Sequence, residues 1–303
     1  RLTTATLAAG GTLGIMIPPS VILVIYAILT EQNIAKLFAA AMIPGLIAMV
    51  GYLIAIGIYV RLVPGHAPEQ GQAAERVNTR DAIVGLGPIA VIFLLVFGGI
   101  YGGIFTPTEG AAVGAISTLL LAFFRGEMTR HKLAMSFYQA AESSAMIFLI
   151  FIGADLMNSA LALTQVPAQL AAAVGSSGLP PLAIVGAILV FYIVLGCVMD
   201  ELSMILLTVP IFLPIVMGFD YFGLNATEKA IWFGILALMV VEIGLITPPV
   251  GMNVYIINSL ARDVPMSETF RGVVPFLISD ALRVMLLIFF PVLSLWLVRL
   301  LAP

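Results

Sequence analysis

Long, nearly uninterrupted apolar runs constrain this chain more than any other feature. They cover residues 2–30, 35–61, 82–104, 108–124, 134–163, 180–198, 205–217, 228–260 and 273–298. A helix of ~20 apolar residues crosses the ~30 Å hydrocarbon core of a bilayer, whereas a membrane β-strand is ~10 residues long and alternates. The runs therefore predict an all-α polytopic membrane protein and exclude a β-barrel. Composition agrees: 61% of the 303 residues are hydrophobic and 10% are charged, against ~25% charged in soluble domains. Mean hydropathy is +1.15. A net charge of −3 and the lack of any Lys/Arg stripe argue against nucleic acid as a partner. The single cysteine, Cys197, excludes an internal disulfide and a cysteine-based metal cluster.

Polar punctuation divides the runs into five parts. Residues 1–61 hold a helix interrupted at Gly14–Pro19 and a following helix with Pro44 and Gly45 as an expected kink. Residues 62–81 form a polar loop, and 82–163 form helices of a scaffold. Residues 164–260 carry a hairpin at 180–217 and a second interrupted helix, and 261–303 a loop and a last helix. If the hairpin is re-entrant, Arg1, Arg61, Arg76, Arg80, Arg125, Arg130, Lys132, Arg262 and Arg271 fall on one face. That is nine of the thirteen Lys and Arg, with Lys36, Lys229 and Arg299 opposite. The positive-inside rule makes the nine-residue face cytoplasmic.

The strongest internal signal is a repeat. Gly14-Ile15-Met16-Ile17-Pro18-Pro19 returns 230 residues later as Gly244-Leu245-Ile246-Thr247-Pro248-Pro249. With the orientation above, the first copy runs outward and the second inward, which makes them inverted-topology repeats. Consecutive prolines remove two helical N–H donors and push the preceding residue out of the helical region. Backbone freed in this way survives in hydrocarbon only where it lines a polar cavity. Two such breaks at corresponding positions point to a transporter's midplane binding site. At this offset the hairpin at 180–217 should have a partner ending just before residue 1, so the natural chain is expected to begin earlier.

Intramembrane polar groups then nominate the site. Asp200 and Ser203 lie at the expected hairpin tip, with Thr208 on its second arm. Together with backbone at Gly14, Pro18, Gly244, Thr247 and Pro248 they supply hard oxygen donors, which suit Na⁺ rather than a soft metal. Ser20, Asp200 and Asn253 are the candidate substrate contacts. An N-cap on the helix starting near Leu202 is an equally allowed use of Asp200. Glu142, Asp155, Glu242, Asp280 and Arg283 read as paired or snorkelling structural charges, with Asp280 and Arg283 pairing at i, i+3. Glu109, after Thr106-Pro107-Thr108, reads as a helix-capping acid. Catalytic motifs such as H-E-x-x-H, G-x-S-x-G or a Walker sequence are absent. No catalytic residue, no cofactor, and no metal beyond Na⁺ as coupling ion are expected.

Three long motifs resemble a known family. Gly10-Gly11-Thr12-Leu13-Gly14-Ile15-Met16-Ile17-Pro18-Pro19-Ser20, the stretch Gly98 to Glu109, and Val241 to Gly251 are similar to signatures of the large membrane subunit of TRAP transporters, DctM type. Met204 to Pro210 also fits. The resemblance covers essentially the whole chain and implies an ion-transporter-superfamily fold working as a Na⁺-driven elevator. It implies two protein partners, a small four-helix membrane subunit and a periplasmic substrate-binding protein. It also implies an organic acid cargo: a C4-dicarboxylate, sialic acid or 2-oxo acid. Location in the bacterial inner membrane, among its lipids, follows. By the same resemblance Asp200 and Ser20 lie near cation or substrate, and Gly244 to Pro248 form a cation loop.

The reading is thus the large subunit of a Na⁺-coupled, binding-protein-dependent secondary transporter. Two rivals are an intramembrane aspartyl protease using Asp155 and Asp200, and a scaffold subunit without a site. Against the protease, a Gly-x-Gly-Asp context is missing and a catalytic dyad does not explain the repeats; unaltered uptake in Asp200→Ala would favour the scaffold. Topology offers a direct check: single cysteines at Gln72 and Ser176, on a Cys197-free background, should label from opposite sides of the membrane. Same-side labelling would overturn the inverted repeat.

Overall fold

The computed structural model describes residues 2–62, 79–261 and 264–301, all helical or connecting. The helices are α1 (Leu2–Met16), α2 (Val21–Leu29), α3 (Ile34–Leu62), α4 (Thr79–Tyr101), α5 (Pro107–Phe124), α6 (Arg130–Thr164) and α7 (Val166–Gly175). They continue as α8 (Pro181–Gly196), α9 (Glu201–Met217), α10 (Ala226–Ile246), α11 (Met252–Leu260), α12 (Met266–Phe289) and α13 (Val292–Leu301). Among the described residues, five helices are long and apolar enough to span a membrane, and the bent pair α1 and α2, angled by 42°, makes a sixth. The expected loop at 62–81 falls mostly outside the described residues.

Three outcomes differ from the reading of the sequence. The polar-to-small, charge-free stretch 164–179, which lies outside the apolar runs, contains α7, whose first turn is set by Pro167. The final run is two helices, because Pro291 denies the helix an N–H and α12 ends at Phe289. The second interruption is confined to residues 247–251, so Gly244 is helical. Pro44, by contrast, is carried inside a continuous α3.

The chain forms two compact units, residues 1–67 with 150–303 and residues 68–149. The smaller unit contains α4, α5 and the start of α6. Its α5 begins with a capping box: Thr106 accepts from the Glu109 N–H, and the Glu109 carboxylate accepts from the Thr106 N–H at 2.8 Å. The Phe105 ring lies directly over Gly99, where any side chain would collide with it. Phe123, Phe124, Phe137 and Phe148 are exposed, as suits a surface facing lipid or another apolar partner.

The larger unit is organised around α10. Every residue from Ala230 to Ile246 is buried, which in an apolar chain means the helix is enclosed by protein. Its neighbours attach through polar tips of large side chains. Tyr26 on α2 donates to the Ala230 carbonyl at 2.7 Å, and Trp232 donates to the Leu287 carbonyl of α12 at 2.9 Å. Satisfying a buried O–H or N–H this way avoids the penalty of an unpaired polar group. A second cluster joins Ala5, Ala8 and Ala9 of α1 to Tyr52 of α3, Ile246 of α10, Val254 of α11 and Phe276 of α12. Small residues at i, i+3 and i+4 let α1 approach these neighbours closely.

At one end of α10, Asn225 and Glu228 form another capping box, and Arg299 on α13 donates to Glu228 at 2.7 Å. An ion pair of this kind contributes only while the carboxylate is ionised. Arg299→Gln should therefore lower the thermal midpoint modestly at pH 7, by less than about 1 kcal/mol since the arginine is half-exposed. The difference should vanish as the carboxylate protonates in acid. A gap that persists in acid would show that the arginine acts through packing instead.

Candidate functional site

The site is built where the hairpin of α8 and α9 meets the second interrupted helix. The hairpin arms are joined internally. Thr208 Oγ1 lies 2.7 Å from Tyr192 Oη and 2.6 Å from the Met204 carbonyl, and the Phe212 ring packs on Phe191 and Tyr192. Thr208 is buried with its hydroxyl occupied by these bonds. Asp200 stands in extended conformation before α9, and its Oδ2 accepts from the Ser203 N–H at 2.9 Å. It is thus a helix N-cap, and Ser203 enters through its backbone. The cap uses one carboxylate oxygen, and Oδ1 makes no hydrogen bond among the described residues.

Two contacts bring the tip against α10. A Cβ added at Gly244 would stand 2.6 Å from Gly196 Cα, so the helices cross with glycine on glycine. Just beyond, the Cys197 thiol donates to the Pro248 carbonyl at 3.4 Å. Thr247, the last residue before the break, turns its hydroxyl back to the Ile243 carbonyl at 2.5 Å, and its N–H bonds the Gly244 carbonyl at 3.0 Å. Gly251 restarts the chain at φ +57°, and a side chain there would also press on Phe270. Asn253, on the first turn of α11, is half-buried, with its Nδ2 close to Gly11 of α1.

The first break is similar in outline. α1 ends at Met16, Pro18 is buried, and Ser20 caps α2 by accepting from the Leu23 N–H at 3.4 Å. Pro18–Pro19 and Pro248–Pro249 are both cis. Gly14 lies inside α1, is exposed, and has open space where its Cβ would be. Of the residues nominated from sequence, Gly244 and Pro248 are met by the hairpin at Gly196 and Cys197, Thr247 adjoins Pro248, and Asp200 and Ser203 follow Cys197 in the chain at the start of α9. Gly14, Pro18 and Ser20 cluster at the first break.

Two residues that the sequence did not single out for this site complete it. Cys197 joins tip to break, and Gly196 is the contact that Gly244 requires. The repeat marked Gly244, but nothing local in Leu195-Gly196-Cys197 announced its partner. Asp155, which a protease reading needs, is exposed on α6.

Two interrupted helices, each break flanked by polar side chains, within a set of long apolar helices describe a polytopic membrane protein. Comparison with known proteins agrees. Residues 1–293 match the family "Tripartite ATP-independent periplasmic transporter, DctM component". The chain is 32% identical over 291 residues to the C4-dicarboxylate TRAP transporter large permease protein DctM of Pseudomonas aeruginosa, covering 94% of this chain and 64% of that one. It is 31% identical over 302 residues to the ectoine/5-hydroxyectoine TRAP transporter large permease protein UehC of Ruegeria pomeroyi, covering 97% and 66%. It is 29% identical over 300 residues to the sialic acid TRAP transporter permease protein SiaT of Haemophilus influenzae, covering 98% and 46%. The chain belongs to the DctM family, a family of transporters and not of enzymes. It spans about two thirds or less of the length of these relatives.

Glycine on glycine gives a sharp expectation. Gly244→Ala and Gly196→Ala each drive a methyl into backbone that cannot rotate aside, an overpacking that costs typically ~1–3 kcal/mol. Both should lower the thermal midpoint of the purified protein. Unchanged midpoints would show that α8 and α10 can separate freely.

Proposed function

We propose that this chain is the large membrane component of a binding-protein-dependent secondary transporter in a bacterial inner membrane, and that it moves an organic acid together with Na⁺. Supporting this, the family is shown and the paired breaks supply oxygen donors within an apolar bundle. The single observation that carries the cation reading is the meeting of the hairpin tip with the second break at Cys197 and Pro248. There a carboxylate with a free oxygen, a threonine and interrupted backbone come from two different elements. Such a set suits a hard cation.

The repeated Gly-x-x-x-Pro-Pro segments support an inverted-repeat, elevator-type architecture, in which the breaks hold ion and cargo near the midplane. A small four-helix membrane subunit and a periplasmic binding protein are the partners this function requires. The relatives carry the names of C4-dicarboxylate, sialic acid and ectoine transporters. Family membership therefore leaves the cargo to the individual protein, and a C4-dicarboxylate, sialic acid or 2-oxo acid fits a small carboxylated solute. Ser20 and Asn253, at the two breaks, are its proposed contacts, beside Asp200.

Asp200 allows its two uses to be separated. Asparagine is as good an N-cap as aspartate, so Asp200→Asn keeps the bond to Ser203 and removes only the charge. In the full-length transporter, reconstituted with its partners, Asp200→Asn should raise the half-saturating Na⁺ concentration with little loss of stability. Losing a charged ligand is worth ~2–3 kcal/mol, or roughly 30- to 150-fold. Thr247→Ala, which removes one neutral oxygen, should have a smaller effect. An unchanged Na⁺ half-saturation in Asp200→Asn would leave the residue as a helix cap alone.

A further inference from the structure

Among the described residues, the most heavily buried charges lie on α10 and α12, the helices that precede and follow the second break. Glu242 on α10 and Asp280 and Arg283 on α12 are 0%, 1% and 3% exposed. Arg283 Nη2 stands 3.3 Å from Glu242 Oε2 and 3.0 Å from Asp280 Oδ1. Asp280 Oδ2 accepts from the Tyr52 hydroxyl of α3 at 2.7 Å, and that hydroxyl lies 3.5 Å from Thr12 Oγ1 of α1. One polar chain thus runs Glu242, Arg283, Asp280, Tyr52, Thr12. It touches the helix leading into each break and the long helix that follows each.

Its members stand at matching places in the repeat. Thr12 is two residues before Gly14, and Glu242 is two before Gly244. Tyr52 is eight residues after Pro44, and Arg283 is eight after Pro275. In each copy, then, the residue just before the break motif pairs with the residue eight past the proline of the following long helix. The first copy makes this pair as a 3.5 Å contact between two hydroxyl oxygens, whose own protons go to the Ala9 carbonyl and to Asp280, and the second makes it as an ion pair. Asp280 has no such counterpart and bridges the two pairs. A network placed only to solubilise charge would have no reason to observe the repeat.

We infer that Tyr52, Asp280 and Arg283 are positioning residues that tie the two breaks into one unit, so that the geometry of either break depends on contacts made at the other. The physical reason is that every link is sequestered from water. A buried donor or acceptor that loses its partner has no solvent to turn to, so a disturbance at one end must be absorbed along the chain. Coupling of this kind is reciprocal. The proposal deepens the cation-site reading, and its first test does not depend on that reading.

Amide hydrogen exchange in the full-length transporter, over peptides spanning residues 13–20 and 243–253, reads the coupling without any ion. Tyr52→Phe deletes one hydroxyl on the first-repeat side and should speed exchange at 243–253 as well as at 13–20, by about fivefold, the lower end of ordinary intersite coupling. Arg283→Lys should do the same at 13–20. Phe276→Leu serves as control, because Phe276 packs edge-on against Tyr52 but carries no polar group. Effects confined to the break of the mutated repeat would overturn the inference, as would equal loosening of both breaks by Phe276→Leu. Uptake supplies a second readout: both polar variants should raise the Na⁺ half-saturation more than they lower the maximal rate. Unchanged half-saturation in a transporter whose wild type responds to Na⁺ would also overturn it. A wild type indifferent to Na⁺ would sink the proposed function instead, and exchange would still judge the coupling.

Discussion

The larger unit depends on a guanidinium held away from water between two carboxylates. Arg283 has one close partner on its own helix and one on α10, the most enclosed helix of the chain. Desolvating these charges is costly, and the pairing offsets the cost only while both acids stay in place. Removing one member of such a group typically costs ~3–5 kcal/mol because it strands the other. The orientation of α12 against α10 is therefore determined by charge as well as by apolar packing. From α12 the constraint passes through Asp280 and Tyr52 to α3 and α1. Apolar contacts between membrane helices discriminate poorly among rotations, since lipid is as apolar as leucine. A buried ion pair leaves one rotation open.

With that frame set, the site is assembled by close approach. Gly196 and Gly244 let α8 and α10 meet at backbone distance, which delivers Cys197 to Pro248 and sets the cap of α9 beside the second break. The Asp200 carboxylate serves the fold through one oxygen, which caps α9. The cap holds the carboxylate in one orientation, so the proposed cation role would not compete with the capping role. The buried Thr208 hydroxyl, spent on Tyr192 and Met204, gives the hairpin its internal rigidity.

Much of this was legible in the sequence, and some could not be. Continuous apolar runs determined the helices, because backbone in hydrocarbon must satisfy itself. The paired Gly-x-x-x-Pro-Pro segments determined that two helices are interrupted, because proline lacks an N–H. Thr106-Pro107-Thr108-Glu109 and Asp200 declared helix starts, since capping is local chemistry. The same locality linked Asp280 to Arg283, one turn apart. What only the tertiary structure decided was which distant residues share a space. Glu242 joins Asp280 and Arg283, Tyr52 reaches Asp280 across 228 positions, and Gly196 faces Gly244. Each of these contacts depends on how far one helix is rotated about its axis against another. In a chain that is apolar all round, no hydrophobic stripe encodes that rotation. The few buried polar atoms select it, and their partners are visible only once the helices are packed.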